Sequence, residues 1–211
     1  MASAPNPAPR RQHVVIAFYT DAKEAIVATD TLLHYPDGHA PGYSSKALAI
    51  PHLKMIVAGT GSAALFNRWI GLVNEQGFAL DVDAVNLHAP ESLQSLWREL
   101  NAQFPAMHEQ TATIYHFGFS DKTGKIHGYG YRSGSNFKSE WLAYGLGIKP
   151  QLVDAAAIDL NSFPDCAVEI MRAQALQESQ KSANRVYIGG SVQINHLTSN
   201  GYSIYALGEL T

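Results

Sequence analysis

HVVIAFYT (residues 13–20), DAKE (21–24), AIVATDTLLH (25–34), YPDGHAPGY (35–43) and SSKALAI (44–50) form the stretch that decides the fold. Two apolar runs of strand length, joined by a short polar turn from Asp21 to Glu24, predict a hairpin. Pro36, Gly38, Pro41 and Gly42 break any strand and predict a surface loop before KALAI resumes extended structure. Asp30 falls near the end of one buried strand and Lys46 at the start of the next, so an acid and an amine on adjacent strands can face each other. An unpaired carboxylate in an apolar strand costs several kcal/mol, so Asp30 needs a partner, and Lys46 is the nearest by topology. The pair reads as a structural ion pair, as an aspartate capping a strand end, or as an acid–base pair.

Outward from this stretch, KALAI and LKMIVAGT predict a second strand pair around Pro51-His52. From Gly61 the period becomes helical, with Ala64, Leu65, Trp69, Leu72 and Val73 on one face until Gly77. A second helix is predicted from Pro90, placing Leu93, Leu96, Trp97 and Leu100 together and closing at Pro105. TATIYHFGFS and KIHGYGYR flank the tight-turn sequence DKTG, and SEWLAYGLGI reads as one further strand. A third helix spans about Pro164 to Gln180, and RVYIGGSVQINHL and GYSIYALGEL close the chain as strands. This order, with hairpins throughout, favours two stacked sheets with helices on their outer faces. Residues 1–12, Pro- and Ala-rich and without periodicity, read as a disordered arm, and 13–211 as one domain.

Hydrophobic content of 46% with 16% charged residues predicts a sizeable core, and a net charge of −3 leaves no electrostatic footprint for nucleic acid. The single cysteine, Cys166, excludes an intrachain disulfide framework and lies in a helical pattern, where it reads as a small buried hydrophobe. No apolar run reaches the length of a membrane span, so no membrane partner is expected and the cytoplasm is the default location. The nine histidines form no tight ligand set, so neither metal nor cofactor is expected, and His116 and His127 read as strand-packing or surface residues.

The segment IVATDT, Lys46 on the following strand, VAGTG opening a helix, and VYIGGSVQINHL near the far end together resemble the proteasome β-subunit family of N-terminal-nucleophile hydrolases. The resemblance spans the chain from His13 onward and implies an α+β fold, a four-layer αββα sandwich. In that family a threonine at the start of the first strand attacks an amide carbonyl while its own α-amino group takes the proton. Lysine and aspartate support the nucleophile, and a backbone N–H stabilises the oxyanion. The resemblance carries these supporting roles onto Lys46, Asp30 and Gly59.

The nucleophile does not carry over. The family's spacings, counted back from Asp30 and Lys46, reach Val14, with His13 as its neighbour, and valine has no hydroxyl. Removal of Met1 exposes Ala2, and neither Ser3 nor Thr20 stands in the right place. Positions that hold a supporting aspartate and serine in the family hold Arg185 and Ile188, and YGLGI (144–148) replaces a serine-bearing turn. The resemblance therefore implies a subunit-like protein without the threonine, acting in homo-oligomeric (ring-type) assembly, in a mixed oligomer with a threonine-bearing homologue, or in ligand binding. The alternative is an amide hydrolase with an unconventional nucleophile, such as water activated by His13 or Lys46.

Overall fold

A computed structural model of the chain describes residues 11–12, 15–33, 42–75, 79–104, 110–182 and 185–210. In chain order the strands are β1 (Arg11–Gln12), β2 (Ile16–Thr20), β3 (Glu24–Asp30), β4 (Leu32–Leu33), β5 (Gly42–Tyr43), β6 (Ala47–Ile50) and β7 (Met55–Ser62). Helices α1 (Ala63–Glu75) and α2 (Val82–Gln103) follow, then β8 (Thr113–Phe119), β9 (Ile126–Arg132), β10 (Ser139–Trp141) and β11 (Gly145–Lys149). Helix α3 (Ala167–Ser179) and strands β12 (Ser191–Thr198) and β13 (Gly201–Glu209) complete the order.

The first hairpin closes through Asp21, whose Oδ1 accepts from the backbone N–H groups of Lys23 at 2.7 Å and Glu24 at 2.9 Å. These bonds satisfy two turn amides that the strands leave unpaired. β2 and β3 then pair antiparallel from Ile16↔Thr29 to Thr20↔Ala25 and sit at the centre of a five-stranded sheet ordered β11-β2-β3-β12-β13. A six-stranded sheet follows the order β1-β7-β8-β9-β10, with β6 also on β7, and every strand pair among the described residues is antiparallel.

Side-chain alternation along these strands builds three cores. Ile16, Phe18 and Val27 meet Ile56, Ala58 and Phe117 between the two sheets. Val57, Ile114 and Tyr131, on the other face of the six-stranded sheet, pack under Phe66, Trp69 and Leu93 of α1 and α2. Ala17, Ala28 and Ile194, on the other face of the five-stranded sheet, pack under Ile170 and Met171 of α3. Strands apolar on both faces therefore carry the continuous hydrophobic runs seen in the sequence.

Several expectations need correction. Helix α2 begins at Val82 rather than Pro90, because Asp81 caps it, accepting from Ala84 N–H at 2.8 Å. Pro90 lies inside the helix, where it removes one backbone bond, and burial of Val82, Val85, Ala89, Leu93 and Leu100 offsets that loss. SEWLAYGLGI is two strands in different sheets: β10 pairs with β9 and β11 with β2. The chain passes from one sheet to the other just before Gly145, whose φ of +124° disfavours residues with a side chain. Helix α3 starts at Ala167 rather than Pro164, and RVYIGG precedes β12 instead of belonging to it. Arg11–Gln12, assigned to the disordered arm, pairs with Ser62 and Gly61 as β1.

Other expectations agree. Helix α1 buries Leu65, Trp69 and Val73, and Cys166 is buried beside α3. The rest of the arm, residues 34–41 of the Pro/Gly loop, Gly77 and Pro105 lie outside the described residues.

Candidate functional site

β3 ends at Asp30 and β6 begins immediately after Lys46, so the two side chains arrive at the same end of the paired sheets. Lys46 Nζ donates to Asp30 Oδ1 at 2.7 Å, and both side chains are 0% exposed. Asp30 Oδ1 also accepts from Val15 N–H at 3.4 Å, and Oδ2 from Gly189 N–H at 3.3 Å. Burial pushes the Asp30 carboxyl up and the Lys46 amine down, while the attraction between them and the hydrogen bonds to Asp30 act the other way. Asp30 thereby ties together the start of β2, the end of β3, the segment before β6 and the segment before β12.

Gly59 lies on β7, and its N–H donates to the Lys46 carbonyl at 3.0 Å. A Cβ at this position would stand 2.5 Å from Phe66 Cδ2, so the glycine lets α1 pack closely on the sheet. Val14 and His13 lie outside the described residues. Arg185 and Ile188 are placed: the Arg185 guanidinium lies 5.1 Å from the Tyr187 ring centroid, and Ile188 packs in the α3 core. One is a cation–π contact and the other an apolar anchor, so neither supplies a carboxylate or hydroxyl.

A cleft of about 420 Å³ adjoins this end, lined by Thr31, Tyr43, Ser44, Ser45, Gly190 and Ser191 among others. Thr31 follows Asp30, Ser45 precedes Lys46, and Gly190 follows the Gly189 that donates to Asp30. Ser191 N–H donates to Thr31 Oγ1 at 3.0 Å. Gly190 has φ +73°, and a Cβ there would lie 2.4 Å from Thr31 Oγ1. Hydroxyls line the cleft, while the ion pair stays sealed beneath it. A larger cavity of about 950 Å³ lies on the α3 side of the five-stranded sheet, lined by Tyr19, Glu24, Ile148, Leu152 and Phe163 among others. It does not include Asp30, Lys46 or Gly59.

The two histidines singled out in the sequence have structural partners. His116 is fully buried, accepts from Trp69 Nε1–H at 2.8 Å, and is pushed down to about 3 by burial. His127 Nδ1 lies 2.7 Å from Asp83 Oδ1, and its Nε2 lies 3.0 Å from Thr123 Oγ1 on the adjoining turn. Among the described residues no group of three or more His, Cys, Asp or Glu is placed to hold a metal ion. No helix among them is long and apolar enough to cross a membrane.

One contact was missed by sequence reasoning. Lys149, the last residue of β11, donates from Nζ to Thr113 Oγ1 at 2.8 Å, joining the two sheets. Burial, with Arg132 nearby, lowers its pKa to about 8. The usable signal was the strand period, which gives Lys149 the same parity as Gly147 and the opposite parity to Ile148.

Two facing antiparallel sheets with helices packed on them make a fold similar to that of proteasome-like subunits. Among solved structures the chain is similar to Anbu (ancestral beta-subunit) from Yersinia bercovieri, with a TM-score of 0.64 and 13% sequence identity, over 93% of this chain and 87% of that one. No protein-family model and no curated protein matches the chain.

Proposed function

We propose that the chain is a proteasome-subunit-like αββα sandwich whose Asp30, Lys46 and Gly59 are the remnant of a threonine site, and that it acts in oligomeric assembly or ligand binding without hydrolysis. The observation that carries this reading is the closure of the pair. Both side chains are fully buried and Asp30 is held by two backbone amides, so its carboxylate serves the fold. The Gly59 N–H, assigned by resemblance to an oxyanion, is spent on the Lys46 carbonyl. Valine at 14, arginine at 185 and isoleucine at 188 support the same reading, since none offers a nucleophile or a carboxylate. Assembly is supported by Leu80 and Leu87, 73% and 77% exposed on the side of the molecule that carries α2.

The second reading, an amide hydrolase using an activated water, is favoured by one observation: burial lowers the Lys46 pKa, as a general base requires. Incubation of the full chain with a panel of peptide and aryl-amide substrates separates the two. No turnover above the buffer rate is expected. Turnover abolished by Lys46→Ala, in a variant shown to be folded, would replace this reading with the enzymatic one.

A further inference from the structure

The space between the sheets is apolar at its centre and polar at the end that holds Asp30 and Lys46. Across the five-stranded sheet, Lys149 pairs with Ile16, Ile16 with Thr29, and Thr29 with Gln193. Ile16 belongs to the core between the sheets, so its row-mates Lys149, Thr29 and Gln193 share that face. Across the six-stranded sheet, Thr60 pairs with Thr113 and Thr113 with Arg132. Ala58 and Tyr115, two residues away along the same strands, also belong to the core between the sheets. The two polar rows therefore face each other, and the 2.8 Å bond from Lys149 to Thr113 joins them.

The charge in these rows is uneven. Arg132 is paired with Glu140. Lys149 is half-buried beside that guanidinium, and among the described residues its amine meets a neutral hydroxyl and no carboxylate. An ammonium has three donors, and only one is used on Thr113. A desolvated cation without a counter-charge is costly, and an anion beside it recovers that cost. A donor in the same row is also unspent: the Thr29 hydroxyl, fully buried, has no hydrogen-bond partner among the described residues.

We propose that this polar end of the space between the sheets, around Lys149, Thr113 and Thr29, is a binding site for a small oxyanion, a carboxylate or a phosphate group. Lys149 supplies the charge, and the hydroxyls of Thr113 and Thr29 supply O–H donors to the anion. Thr29 immediately precedes Asp30 on β3 and Thr60 immediately follows Gly59 on β7, so the site lies at the same end of the sheets as the ion pair. The inference rests on the reading of this region as a ligand-binding, non-hydrolytic site. It supplies the ligand class that reading leaves open.

Calorimetric titration of the full chain with sodium acetate and with sodium phosphate, at chloride-matched ionic strength, tests it. Saturable binding of either is expected, and the arm that binds identifies the group. Lys149→Gln is expected to weaken it by about tenfold or more, as for loss of a charged hydrogen bond, while Lys125→Gln on the exposed turn leaves it unchanged. Should Lys149→Gln not fold, the wild-type chain still decides by NMR. The Lys149 amine, at about 8 in the free protein, is expected to titrate about one unit higher or more when saturated with the bound anion. Arg132, Glu140 and Tyr115 are the charged and titratable groups around it and are unchanged in that comparison. No saturable binding, or binding without a shift at Lys149, would overturn the anion site and leave the non-hydrolytic reading standing. Amide turnover would overturn that reading, while the titration would still report on the anion site.

Discussion

A carboxylate and an amine that are both fully buried offset each other's charge, and removing either takes away the opposite charge that the other meets in a low-dielectric interior. Lys46→Met is therefore expected to cost about 3–5 kcal/mol in urea unfolding. Adding Asp30→Leu is expected to recover part of that loss. Recovery stays incomplete because the Val15 and Gly189 amides lose their acceptor, at about 1–3 kcal/mol for a buried donor. Full additivity of the two single losses would mean that the pair is not coupled. His116 gives a pH dependence of definite sign. Its folded pKa of about 3 lies below the unfolded value of 6.5, so the unfolded chain binds the extra proton between those limits. Stability from this residue is complete above about pH 6.5 and falls with falling pH by up to about 1.4 kcal/mol per unit through that window. His116→Gln keeps an acceptor for Trp69 and is expected to flatten this part of the pH profile. An unchanged profile would remove His116 as its source.

Helix α2 gathers two opposing local effects. Asp81 caps its first turn and also accepts from Asp121 N–H at 2.8 Å, so Asp81→Ala is expected to destabilise by about 1–2 kcal/mol. Pro90 interrupts the same helix, and Pro90→Ala is expected to stabilise by on the order of 1–3 kcal/mol, both read by thermal unfolding. The helix also marks where sequence reading stopped short. The proline read as a first-turn residue, while Asp81, with Val82, Val85 and Ala89 behind it, was the true start. Elements with both faces buried were legible: β2, β3 and β7 are long apolar runs, and Asp30 and Lys46 stood out against them. The division of SEWLAYGLGI between two sheets was not legible, because it depends on which strand each half meets. Lys149 escaped notice for the same reason. A lysine at a strand end looks solvated until the opposing Thr113 is in view.

In the whole molecule, the sealed pair and the exposed apolar side chains point in one direction. The Asp30–Lys46 contact joins the two sheets beneath the cleft, and Leu80 and Leu87 stand clear of the core on the α2 side. Such exposed leucines are what burial between copies of the chain would cover. Leu87→Glu is accordingly expected to weaken self-association while leaving unfolding stability within about 0.5 kcal/mol of wild type, as for a surface change. The most direct measurement of the central claim is the native mass of the full chain in solution, by sedimentation or native mass spectrometry. A mass of two or more copies of the 22.9 kDa chain is expected. A strictly monomeric mass at all concentrations would contradict the account of this chain as an assembly subunit.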